Sequence, residues 1–444
     1  MNPEFQRNLW LELPAHRLVA MPAVLVLVFF AAWLAGGSLS FAGAAECLIA
    51  LLLIVWGSRL AAEAVLNEVI GHTWDSQRMS AISPWDMAWG KLLGTTAFMW
   101  YGCAWCVGAF IFSPHGDVGL LVRLLLAGLQ SQAMALVLSM VLVRGEPVSL
   151  RFQVTMAQSL TVLVMVPFLF FTMFNRPDVV HWYGGAIQFD SFITLSQLVF
   201  IGWTVLGLYQ MMRAELQYPS GPLTWLFFVV FAVAYLAGFD RLQEFTGKTG
   251  MPTPAVTRLF IAFCAGVGMT YVCALVEPKG MVALRRWMGV LQAGRLALGA
   301  QLAPAWIAAL GIAVLLGALT AVNIVGLNGP SAAVPLGPLS LIAAFLLFTV
   351  RDLAMFYYIV LHSRSGRSAL AIALYLIAAY FLAPVVLSSA RLDALIPILV
   401  PTPGTSPSLG VLPVLLEAVA AVAMVLQRWR VVRLQSMETT AVGH

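Results

Sequence analysis

Residues 296–350 read LALGAQLAPAWIAALGIAVLLGALTAVNIVGLNGPSAAVPLGPLSLIAAFLLFTV, 55 consecutive positions without an Asp, Glu, Lys or Arg. About 20 apolar residues cross the hydrocarbon core of a bilayer, so the run is long enough for two crossings. Asn323 to Pro338, rich in Gly and Pro, supplies the turn that divides it. No water-soluble domain could carry such a stretch on its surface, and the rest of the chain is built the same way. Of 444 residues, 61% are hydrophobic and 10% charged, against about 25% charged in soluble domains. A soluble globule is excluded, as is a receptor with a large polar head.

Outward from that run, charge-poor apolar windows fall near 18–36, 44–65, 92–113, 119–143, 153–174, 191–212, 223–239, 258–276, 303–325, 338–361, 368–388 and 409–427. The expectation is an all-α polytopic membrane protein with about twelve transmembrane helices. With the N-terminus inside, sixteen of the 24 Lys and Arg fall in cytoplasmic segments and five outside, while Arg59, Arg123 and Arg351 lie within spans. That bias places both termini in the cytoplasm. It also accounts for the net charge of +5 without a nucleic-acid partner. Asn2, Pro3 and Glu4 form the start of a short helix over residues 2–13, with Asn2 as cap. Phe5, Leu9 and Leu13 share one face, as in a helix lying in the membrane interface. Ala42-Gly43-Ala44 has the form of a cleavage site, but Glu4, Glu12 and the length of the apolar run argue for a retained segment.

The longest polar stretch of the N-terminal half joins spans two and three, over residues 67–94. It carries Glu68, Asp75, Arg78, Asp86 and Lys91 among Trp74, Trp85 and Trp89, and Ser83-Pro84 marks a turn between two short helices. Aromatic and mixed-charge residues suit a protein-docking surface, or equally a loop held by tryptophans at the headgroups. The segment resembles the loop of ABC-2 type transporter permeases. There a Glu leads to Gly-Thr-x-Glu, then to a Pro-containing stretch, then to Gly-Lys opening the third span. Glu68, Thr73, Asp75, Ser80, Pro84, Trp85, Asp86, Gly90 and Lys91 match without gaps, whereas His72 replaces the usual Gly and Ala81 a frequent Pro.

The resemblance implies a coupling helix docked in a cytoplasmic ATPase subunit, through Glu68, His72, Thr73, Trp74, Asp75, Arg78, Pro84, Asp86 and Lys91. It also makes the N-terminal helix the family's elbow helix. ATP and Mg would be held by the partner, with no cofactor in this chain, and membrane lipid would surround a homo- or hetero-oligomer. The expected location is the bacterial inner membrane and the expected role export, with no chemistry in this subunit. Consistent with that division of labour, Gly247-Lys248-Thr249 lacks the earlier Gly of a phosphate-binding loop, Leu242 standing in its place.

Six spans make one ABC-2 unit, so twelve imply two fused, 1–210 and 211–444. A shift of 209 residues places Glu68 on Glu277, Gly71 on Gly280 and Gly90 on Gly299, defining a second coupling loop with Glu277, Arg285 and Arg286. Within the spans Arg59 and Glu63 are spaced to pair on one face. Arg351 and Asp352, adjacent and about 100° apart on a helix, are expected to need different partners. With Glu417 they form either a structural polar patch or a translocation path. The latter defines the alternative function, an ion-gradient-driven secondary transporter using Asp352 and Glu417. Cys103-Ala-Trp-Cys106 has no second pair or nearby His, and no metal site is expected.

Overall fold

The computed structural model describes residues 2–71, 73–79, 82–113, 117–143, 150–173, 177–218, 223–245, 251–277, 281–328, 336–362, 368–403 and 406–442. Of the described residues 87% are helical, and their apolar helices make this a helical membrane protein. Among the described residues ten helices are long and apolar enough to cross a bilayer. Two further apolar helices, Ala97–Ile111 and Leu223–Ala237, are shorter. At 1.5 Å per residue a 15-residue helix reaches about 22 Å, less than the roughly 30 Å hydrocarbon core.

Contacts divide the chain into two units, one of residues 1–180 and 186–220, the other of 181–185 and 221–444. The first opens with α1 (Pro3–Glu12) and α2 (Ala15–Ala50). The latter is broken at Gly36–Gly37, where Gly37 takes φ +66°, and this separates the first two spans. A π-helical turn, Leu51–Trp56, then leads into α3 (Gly57–Ile70). After it come α4 (Trp74–Arg78), α5 (Pro84–Gly94), α6 (Ala97–Ile111), α7 (Val118–Val143), α8 (Leu150–Met173) and α9 (Phe189–Glu215). The two short helices expected around Ser83-Pro84 are α4 and α5, with the Ser83 hydroxyl accepting from the Asp86 N–H.

The π turn leaves carbonyls without their usual helical partners, and side chains fill the gap. Gln132 Nε2 and Ser131 Oγ donate to the Leu53 carbonyl at 3.2 and 3.4 Å. Ser58 Oγ and Gln158 Nε2 each donate to that of Val55 at 3.1 Å. Inside a membrane such donors replace the water that is missing. Close packing rests on small residues: Ala61, Ala62, Ala133, Ala135 and Ala157 are buried in one cluster, and a Cβ on Gly128 would lie 2.6 Å from Leu53 Cβ.

Between α8 and α9 a short two-stranded hairpin joins the helices of this otherwise all-α chain. Val179–Trp182 and Gly185–Gln188 pair as strands β1 and β2. Tyr183 and Gly184 both have positive φ, 51° and 78°, the geometry of a type I′ hairpin turn. The β-branched and aromatic run before Tyr-Gly carried that signal.

The second unit contains α10 (Leu223–Ala237), α11 (Asp240–Phe245), α12 (Pro254–Val276), α13 (Met281–Gln292), α14 (Leu296–Gln301), α15 (Ala305–Asn328) and α16 (Leu336–His362). Then α17 (Ser368–Ile377) passes through a π turn, Ala378–Leu382, into α18 (Ala383–Ser389), followed by α19 (Ile396–Leu399), α20 (Pro407–Gly410) and α21 (Leu412–Val442). Between α18 and α20 a 3₁₀ turn over Asp393–Leu395 leads into the four residues of α19. Gly266 brings α12 against α15, a Cβ there lying 3.2 Å from the Ala313 Cα. The hairpin tip is fastened by backbone bonds from Tyr183 to the Gly238 carbonyl and from Gly184 to Asp240 Oδ2, 2.7 and 2.9 Å. The Arg258 guanidinium beside Asp240, at 2.8 Å, holds its carboxyl below the usual carboxylate range.

Candidate functional site

In the first unit the N-terminal helix and the loop between spans two and three converge on one buried lysine. Lys91 is fully buried, a position that a lysine occupies only when paired. Its ammonium donates to Glu4 Oε1 at 3.1 Å, to Gln77 Oε1 at 3.0 Å and to Glu68 Oε2. The Trp74 ring centroid lies 5.2 Å away, close enough for a cation–π contact. Arg7 adds a second cation, bonded to Glu4 at 3.1 Å and to Glu68. Gln77 Nε2 donates to Glu68 Oε1 at 2.8 Å. Two cations and two carboxylates balance, so all three ammonium protons are used with no uncompensated charge.

The backbone makes this approach possible. α1 lies directly on α5, where Gly90 and Gly94 stand four apart; a Cβ on either would come 2.7 Å from the Cβ of Glu4 or of Asn8. Asn8 Nδ2 donates to the Gly90 carbonyl at 3.3 Å and Asn2 Nδ2 to that of Asp86 at 2.6 Å. Asn2 also caps its own helix as the sequence implied, its Oδ1 accepting from Glu4 and Phe5. The docking face is nevertheless the polar one, Glu4 and Asn8, both buried. Trp10 and Leu11 are exposed, placed to enter the membrane interface. At the far end of α1, burial pushes the Glu12 carboxyl up, against the opposing pull of Arg17. Gly90→Ala is expected to destabilise the protein by about 1–3 kcal/mol, because α1 must shift to admit one methyl; thermal unfolding of the purified variant measures it.

The remaining loop residues are surface features of this hub. Thr73 donates through its N–H and hydroxyl to the Glu68 carbonyl at 3.0 and 3.3 Å. Pro84 opens α5, and Asp86 accepts from the Ser83 hydroxyl at 2.7 Å. Trp85 stacks edge-on against Trp89 and Tyr209. Met79, between the two short helices, is 83% exposed. His72 lies outside the described residues, as do the side chains of Asp75 and Arg78, whose backbones belong to α4. Arg7, Asn8 and Gln77 were not singled out from the sequence, and Glu4 only as a helix-start residue; Gly90-x-x-x-Gly94, a small-residue spacing that admits a second helix, is the signal that could have found them.

The proposed second loop is built differently. Glu277 Oε2 and Oε1 accept from the Ala305 N–H at 3.0 and 3.2 Å, which places a carboxylate at the positive end of α15. Arg285 and Arg286 are exposed on α13.

In the second unit Arg351, Asp352 and Glu417 do come together. Contrary to the expectation of separate partners, Arg351 Nε donates to its neighbour Asp352 at 2.9 Å, because its long side chain folds back. Its Nη1 reaches Glu417 at 2.7 Å, and its guanidinium lies 4.5 Å from the Phe348 ring centroid. Three tyrosines complete the cluster. Tyr375 and Tyr271 donate to Asp352 at 2.5 and 2.6 Å, and Tyr380 donates as well. Asp352 is fully buried and accepts four hydrogen bonds. The π turn in the α17–α18 span holds Tyr380. Its wider winding brings Tyr375 and Tyr380, five apart, to one side. Arg59 and Glu63 pair at 2.9 Å as their spacing implied. Among the described residues no group of three or more His, Cys, Asp or Glu is arranged to hold a metal.

No protein-family model, curated protein or solved structure matches the chain.

Proposed function

We propose that this chain is the membrane subunit of an ATP-driven exporter of the ABC-2 type, residing in the inner membrane with twelve spans and both termini cytoplasmic. The observation that carries the reading is the buried hub at Lys91, which joins α1, α4 and α5 to the end of α3. A push on α4 would pass through Gln77 and Glu68 to Lys91, and from there to α1 and the first three spans. A coupling device needs such a path, since motion of a docked ATPase must reach helices it does not touch. ATP and Mg would be bound by the partner, and this chain would convert its closure into opening of the route outward.

The hub also decides how docking should be tested. Glu68 is bonded to Lys91, Arg7 and Gln77, so Glu68→Lys would damage the fold along with any interface. Met79 is the better site, exposed and outside the hub. In Met79→Asp, expected results are an unchanged thermal midpoint and loss of the ATPase that co-purifies with the unaltered protein. Transport in vesicles driven by a proton gradient, with no ATPase present, would overturn the proposal. An ion-driven mechanism through Asp352 is disfavoured because four donors already occupy its carboxylate; proton uptake there would require one of them to leave.

A further inference from the structure

We propose that α13 and α14 form a lipid-binding foot that lies on the membrane surface and holds anionic headgroups through Arg285, Arg286 and Arg295. This goes beyond ATPase docking at the first loop and stands whether or not that docking occurs. Gly294, at φ +71°, turns the chain between the two helices. Trp287 Nε1 then donates to the Gly299 carbonyl at 3.0 Å. A Cβ on Gly299 would lie 2.7 Å from Leu291 Cδ2, so the helices are closely fitted. On α13 the helical period puts Trp287, Met288 and Leu291 on one side and Arg285 and Arg286 on the other.

The pair presents both components of an interfacial helix. Leu296 is 73% exposed, and Leu291 and Leu298 37% each, although the segment lies outside the long spans. Arg285, Arg286 and Arg295 are exposed too, and among the described residues no carboxylate lies within salt-bridge reach of them. No acidic residue occurs in the sequence between Glu277 and Asp352. The bond from Ala305 to Glu277 pins the end of α12 to the start of α15, so the foot leaves and re-enters the membrane at one place. Leucines in the acyl boundary with arginines at the headgroups fit an anionic bilayer surface.

Amide hydrogen exchange of the full chain in nanodiscs tests this, with phosphatidylcholine alone or mixed with phosphatidylglycerol. Residues 281–301 are expected to exchange about thirty- to a hundredfold more slowly in the anionic discs, the effect of two or three basic residues at a charged surface. R285Q/R286Q/R295Q should abolish the difference and R285K/R286K/R295K should keep it. Unchanged protection of 84–94 in both variants shows an intact fold. Equal exchange of 281–301 in the two discs overturns the proposal. So does protection found in native membranes but missing in anionic discs, which would mark a protein on this face.

Discussion

Lys91→Met is expected to lower stability by about 3–5 kcal/mol, the cost of removing one member of a buried ion pair. Methionine fills a similar volume, so packing is kept and the loss is electrostatic. Glu4 and Glu68 would then share a buried site with Arg7 as the sole cation. Their repulsion acts on α1, which is held to α5 by this cluster and by the Asn2 and Asn8 bonds. Two measurements report it: a lower thermal midpoint in detergent, and faster tryptic cleavage after Arg7. A Glu68→Gln/Lys91→Met double variant should lose less than the sum of the singles, because neither partner is left charged and alone. An unchanged midpoint in Lys91→Met would show that the hub contributes nothing to stability.

Asp352→Asn should be as damaging, again about 3–5 kcal/mol, for a different reason. The carboxylate accepts from Arg351 and three tyrosines. An asparagine offers one acceptor oxygen and turns an NH₂ toward donors, while Arg351 keeps Glu417 as its one carboxylate partner among the described residues. Helices α12, α16, α17 and α21 meet at this cluster, so the loss should loosen all four. Thermal unfolding separates the two roles the cluster could have. A lowered midpoint marks a brace; an unchanged midpoint with transport abolished marks a site on the translocation path.

What could be read from the sequence follows how local the signal is. The π turns escaped because a wide turn has no composition of its own, only a consequence for what is buried beyond it. Apolar runs mapped the membrane helices because hydrocarbon imposes length and composition at once. Asn2, Ser83 and Pro84 marked helix starts because a cap is decided within four residues. The hub was half legible: Glu68 and Lys91 were noticed as a pattern, but their partner Glu4 sits 87 residues from Lys91, and nothing local announces it. In the N-terminal helix, Phe5, Leu9 and Leu13 were read as the face lying in the membrane interface, and no docking face was foreseen. The helix docks by Glu4 and Asn8 because glycines at 90 and 94 allow backbone contact that an apolar face could not exploit. Adjacent Arg351 and Asp352 were expected to diverge, a rule for short side chains that a guanidinium on three methylenes evades.

The π turn in the second span also sets its phase. In its first half, Ala45, Ile49, Leu52 and Leu53 are buried; continuing that rhythm would bury position 56 next. Trp56 is instead 53% exposed, and burial resumes at Gly57, Ser58, Ala61, Ala62 and Val65. One extra residue, about 100° of rotation, has been taken up in the wide turn. The two halves of one helix are thereby timed to different neighbours, and the second half arrives with Glu68 turned toward Lys91. Removing a single residue from 51–56 would straighten the span and set these two clocks against each other.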